Sequence, residues 1–150
     1  MFKIENMKKV LMVLTIFLLG NLSIAQNKER SQKIKLHTII EAIDSGDPSQ
    51  FAGLLTENSV FKFGNFPSAV GKSAIFKAQT DFFASVKSTK HTVLKSWKAP
   101  DSIVAQMEVT YIRLDGSTVT LPVTDIFMLK NNKIDQTLIY MDIAPLYQSQ

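Results

Sequence analysis

The chain has 150 residues, is 45% hydrophobic, contains no cysteine and carries a formal net charge of +4. This length and apolar content suit one domain with one core, and the lack of cysteine excludes a disulfide framework and thiolate metal sites. The charges form no basic stripe, so nucleic acid is not an expected partner.

Lys3, Lys8 and Lys9 precede the apolar run of residues 10–19, and Ser23-Ile24-Ala25 supplies small residues for a cut before Gln26. The pattern is that of a secretory signal peptide, with Met7 as an alternative start. The run is shorter than the roughly 20 residues a spanning helix needs. Residues 1–25 are therefore expected to be a signal peptide, 26–32 a linker and 33–147 the domain. The product is expected to be exported, periplasmic or secreted, without membrane contact after cleavage. Cleavage would leave 14 basic and 12 acidic side chains, a formal charge of +2.

Ile34, Leu36, Ile39, Ile40 and Ile43 recur at helical spacing. Asp44-Ser45-Gly46-Asp47-Pro48 then supplies a glycine stop, an Asp N-cap and a first-turn proline for a second helix carrying Phe51, Leu54 and Leu55 and ending at Thr56-Glu57-Asn58. Residues 59–63 alternate as a short strand, and 71–86 form a third helix with Ile75, Gln79, Phe82, Phe83 and Val86 inward. From His91 onward the pattern is β: strands over 93–99, 102–114, 117–129 and 133–142, with Asp115-Gly116 as a hairpin turn. Three helices followed by an antiparallel meander predict an α+β domain, a curved sheet around helices with a pocket at its open end.

The segments Ile43-Asp44-Ser45-Gly46-Asp47, Gly71-Lys72-Ser73-Ala74-Ile75, Asp115-Gly116, Thr124-Asp125-Ile126-Phe127, and Lys133-Ile134 through Tyr140-Met141-Asp142, in this order, resemble the SnoaL-like and ketosteroid isomerase-like branch of the nuclear transport factor 2 superfamily. The resemblance covers about Lys33 to Pro145. It implies a cone-shaped, cystatin-like antiparallel sheet wrapped around three N-terminal helices. It does not imply one activity, because the superfold carries cyclases, isomerases, dehydratases and non-catalytic binding domains. Laid along this chain, the isomerase pattern puts its protonated oxyanion-hole carboxylic acid on Asp125. Its base falls on Lys62 and its tyrosine on Ile39, so steroid isomerase chemistry is not expected. The overlay turns Gln79, Glu108, Thr110, Leu121, Val123, Thr137, Ile139 and Met141 toward the cavity. Val109, Tyr111, Ile126, Met128, Leu138 and Tyr140 are left on the outer face, which relatives commonly bury in a homodimer, so a homodimer through the sheet is expected.

Asp125 stands among apolar strand residues, where desolvation favours its neutral form. It reads either as a hydrogen-bond-donating acid or as a structural carboxylate paired with Lys62 or a strand neighbour. Lys62 reads as a base, an anion-binding cation or a solvated strand lysine. Glu108, if turned inward, makes a second carboxylate beside Asp125. His91 is a candidate pocket residue, while His37 on the first helix is a weaker one. Phe63, Phe66, Phe83 and Trp97 read as an aromatic wall or as ordinary core, Trp97 also as part of a dimer contact. The expected ligand is a small apolar or cyclic molecule, bound by Gln79, Thr110, Phe63, Val123, Ile139, Met141 and His91. No metal constellation, phosphate loop, nucleophile elbow or cofactor fingerprint is present in the pattern, so no cofactor is expected. Two functions follow from these residues: cofactor-free proton transfer by Asp125 with Glu108 or Lys62, or binding without turnover.

Overall fold

The computed structural model describes residues 33–148. The expected signal peptide and linker lie outside the described residues. Helix α1 spans Leu36–Asp44 and buries Ile39, Ile40 and Ala42, the stripe set by its apolar spacing. It stops at Ser45, and Gly46 takes a left-handed φ of 68° that a side chain would resist. Asp47 then caps α2, Pro48–Leu54, by accepting from the Ser49 amide at 2.9 Å, with Pro48 in the first turn. Helix α3 is Lys72–Ala84, with Ile75 and Gln79 buried.

The strands are β1 (Leu55–Phe63), β2 (Ala69–Val70), β3 (Val86–Ala99), β4 (Ser102–Arg113), β5 (Thr118–Lys130) and β6 (Lys133–Tyr140). They form one curved, unclosed sheet in the order β2-β1-β6-β5-β4-β3. The α+β class is the one read from the sequence. Its sheet is mixed rather than wholly antiparallel, because β1 runs parallel to β6. The return through β2 and α3 before β3 makes this possible.

Two boundaries differ most from expectation. Leu55 leaves the helix with extended backbone and pairs with Ile134, so Thr56-Glu57-Asn58 belongs to a strand instead of a helix end. Pairing also starts β3 at Val86, where the polar run Lys87–Lys90 lacks strand periodicity of its own but finds partners along β4.

The core has two parts. Phe51, Ile75, Phe127 and Ile134 pack at the helical end, while Met107, Val109, Val123 and Leu146 pack along the sheet's inner face. Leu146 comes from a single 3-10 turn, Ala144–Tyr147. Arg113 holds that turn by donating Nε to the Leu146 carbonyl and Nη2 to the Pro145 carbonyl, both at 2.7 Å.

The largest correction concerns β4. Glu108 and Thr110 face outward, where Thr110 hydroxyl pairs with that of Thr120 at 2.8 Å, while Val109 and Tyr111 are buried inside. The reason is the hairpin. Arg113 and Ser117 face each other around a three-residue loop, with Gly116 at φ 89°, and the ladder runs Val109↔Leu121 and Met107↔Val123. A two-residue Asp115-Gly116 turn would have paired the opposite parity, and a slip of one residue moves every side chain to the other face.

Candidate functional site

A cavity of about 350 Å³ lies between the sheet's inner face, α3 and the end of α1. Aromatic rings contribute much of its wall: Phe61 and Phe63 from β1, Phe66 from the loop after it, Phe82 and Phe83 from α3, and Tyr111 from β4. The β1 rings point inward because Phe61 pairs with Thr137 and Phe63 with Ile139, both inner-face residues. The same alternation carries Lys62 outward. Its Nζ donates to the Phe66 carbonyl at 2.6 Å and contributes nothing to the cavity lining. Lys62 and Asp125 therefore form no pair, contrary to one sequence expectation.

Asp125 lines the cavity and is 1% exposed. Its cross-strand neighbours are Ala105 and Ile139. Burial pushes its carboxyl up to about 7, with His91 pulling slightly the other way. One carboxyl oxygen has no hydrogen-bond partner. Three other buried polar atoms share that condition among the described residues: Gln79 Oε1, Thr89 Oγ1 and Thr137 Oγ1. All four side chains line this cavity. Buried polar groups are ordinarily satisfied, so these four are the groups that ordered water or a ligand in the cavity would pair with.

His91 forms the second polar centre. Its side chain is 9% exposed, and its Nδ1 lies 2.6 Å from Asp44 Oδ1. The His91 amide also donates to Asp44, at 3.1 Å to each oxygen, and Lys90 Nζ stands 3.3 Å away. Burial works against the charge on Asp44, but these His91 contacts outweigh it and hold its carboxyl below the ordinary range. An ionised carboxylate only accepts, so Nδ1 carries the hydrogen, and Nε2 is the ring nitrogen left for another partner. Asp44 is the residue that sequence reasoning missed. A carboxylate on the last helical residue, against the helix dipole, was the available signal.

The remaining expected residues divide cleanly. Gln79, Phe63, Val123, Ile139, Met141 and His91 line the cavity together with Asp125, as do Phe66 and Phe83. Glu108, Thr110 and Trp97 do not; Trp97 is 47% exposed, with Lys95 Nζ 5.0 Å from its ring centre. Tyr111 donates to Met141 Sδ at 3.7 Å, and its hydroxyl is held neutral well above its usual range by burial, then by Asp125 and Tyr147. Among the described residues, no group of three His, Cys, Asp or Glu side chains is placed to hold a metal ion.

Residues 36–137 match the family model described as SnoaL-like domain. The chain belongs to the SnoaL-like family. No curated protein matches it. Among solved structures, this SnoaL-like chain is similar to a protein with a ketosteroid isomerase-like fold from Catenulispora acidiphila, in complex with trimethylamine. The identity is 12%, with 70% of this chain and 82% of that one covered at a TM-score of 0.65. It is also similar to an epoxide hydrolase of M. tuberculosis, at 12% identity, 75% and 83% coverage and TM-score 0.64. An NTF2-like protein from Anabaena variabilis matches at 20% identity, 71% and 82% coverage and TM-score 0.63. At these identities the likeness is one of fold.

Proposed function

We propose that this SnoaL-like domain is exported, works as a homodimer paired through the outer face of its sheet, and uses its cavity for cofactor-free proton transfer on a small, largely apolar cyclic molecule, of the isomerase, cyclase or dehydratase type. The observation that carries this reading is the pairing of a neutral-leaning acid, Asp125, with a carboxylate-oriented imidazole, His91, in one aromatic-walled cavity. The burial of Asp125 suits it to the acid role, and the contact with Asp44 orients the His91 ring for the base role. Asp125 donates a hydrogen bond to a ligand oxygen where negative charge develops. His91 takes a proton from an adjacent carbon or hydroxyl through Nε2, and Asp44 stabilises the imidazolium that forms. This replaces Lys62 and Glu108, whose side chains lie on the other face, in the supporting role.

The test is hydrogen–deuterium exchange alpha to the carbonyl of β-tetralone, followed by NMR in deuterated buffer. The chain is expected to accelerate exchange over buffer, and His91→Ala to remove about 10² of that acceleration. Binding of the ketone with exchange no faster than in buffer would refute turnover and leave the alternative, a non-catalytic binding module of the same fold.

A further inference from the structure

The chain is basic overall, yet no lysine or arginine among the described residues lines the cavity. The ionisable side chains that do line it are Asp125, His91, Tyr111 and Tyr147. The imidazole is the single group able to become cationic there, and Asp44 at 2.6 Å already answers its charge. A carboxylate or phosphate entering would be desolvated against apolar walls beside Asp125 without a counter-charge. The cavity is thus electrostatically closed to anions.

It is equally unsuited to a plain hydrocarbon. Gln79 Oε1, Thr89 Oγ1, Thr137 Oγ1 and the Asp125 carboxyl oxygen would stay unpaired under such a ligand. These groups come from α3, β3, β6 and β5 and present four polar atoms, whereas a single ligand hydroxyl makes at most three hydrogen bonds and a carbonyl only accepts, so one oxygen group cannot serve them all. At about 350 Å³ the volume lies near the lower end of the range for small-molecule sites, roughly 300–1,000 Å³. One or two fused rings fit that size, and the aromatic walls suit their faces.

We propose that the cavity selects an uncharged mono- or bicyclic molecule carrying at least two separated oxygen groups, one accepting from Asp125 and one donating toward Gln79, and that it rejects carboxylates and phosphates. This rests on the proton-transfer reading above for the site's location and adds the class of substrate. It follows that a reaction supplying this substrate from an anionic precursor must first remove or mask the anionic group, as decarboxylation, dephosphorylation or esterification does.

Calorimetric titration of the purified chain with three matched probes decides it: β-tetralone, its derivative with a hydroxyl on the aromatic ring far from the carbonyl, and the corresponding ring carboxylate, all near pH 6, where Asp125 keeps its proton and the probe carboxylate is ionised. The hydroxy-ketone is expected to bind about tenfold more tightly than β-tetralone, and the carboxylate at least tenfold more weakly. Gln79→Met is expected to abolish the hydroxyl's advantage while leaving carboxylate exclusion intact; it is close in size and carries no amide, so folding is checked by circular dichroism. Equal or tighter binding of the carboxylate would overturn the charge selection, and a hydroxyl advantage that survives Gln79→Met would overturn the role given to Gln79. Either result would leave the cavity itself standing as the site. Failure of all three probes to bind would overturn this inference and the proposed function together.

Discussion

Asp125 lies between Ala105 and Ile139 on the inner face of the sheet, and burial raises its carboxyl from 3.8 to about 7. The folded chain keeps this proton where the unfolded chain has lost it, so the native state binds more protons between those two values. Stability from this group is therefore fully present below about pH 4 and is lost as pH rises toward and past 7. Three pH units correspond to about 4 kcal/mol. Asp125→Asn is expected to flatten that slope and to be more stable than wild type near pH 8, as read from urea midpoints between about pH 4.5 and 8. A wild-type midpoint independent of pH across that window would refute the account. The residue and its neutral tendency were legible in the sequence, because apolar neighbours on both sides announce desolvation. His91 was also legible, but its contact with Asp44 was not, since the two meet across 47 residues of chain. Local spacing holds no trace of that contact.

At the scale of elements, α1, the Asp47-capped α2, α3 and the long β4–β5 hairpin were all readable from period and turn chemistry. The face of β4 was not, because it depends on whether the loop holds two or three residues, and Asp115-Gly116 is compatible with both. Gly116, at φ 89° with nothing within 4 Å of its missing Cβ, answers for backbone conformation alone. Gly116→Ala is expected to cost about 1 kcal/mol in denaturant unfolding without altering ligand binding, and a neutral result would remove the strain argument. The same hairpin supplies Arg113, whose guanidinium grips the Pro145 and Leu146 carbonyls and keeps Ile143 and Tyr147 at the cavity wall. A lysine has no planar fork to make both contacts. Arg113→Lys is expected to expose the C-terminal turn to limited proteolysis and to lower the melting temperature by a few degrees. Unchanged protease resistance beyond Asp142 would show that the buried Leu146 anchors the turn unaided.

At the scale of the whole molecule, one sheet face is left uncovered among the described residues. Trp97, Val104, Ile126 and Leu138 are consecutive cross-strand neighbours, a row running over β3, β4, β5 and β6 and ending at Lys62 on β1. Tyr140, 58% exposed, stands one step along β6 from that row. These side chains alternate with the inner-face residues that build the cavity, so the apolar character of both faces comes from the same strands. A row of this kind can meet its own copy about a two-fold axis, apolar against apolar, with Lys62 falling outside the contact. Burying it would remove the exposed Trp97 and the half-buried Val104, Ile126 and Leu138 from water at roughly 25 cal/mol per Å². The dimer proposed above is accordingly expected to show twice the chain mass by light scattering at micromolar concentration. Ile126→Asp, at the centre of the row, is expected to shift it to monomer while β-tetralone binding is retained, because the neighbouring Asp125 faces the opposite way. Monomeric wild-type protein would refute the interface. A dimer unaffected by the substitution would move it to another surface.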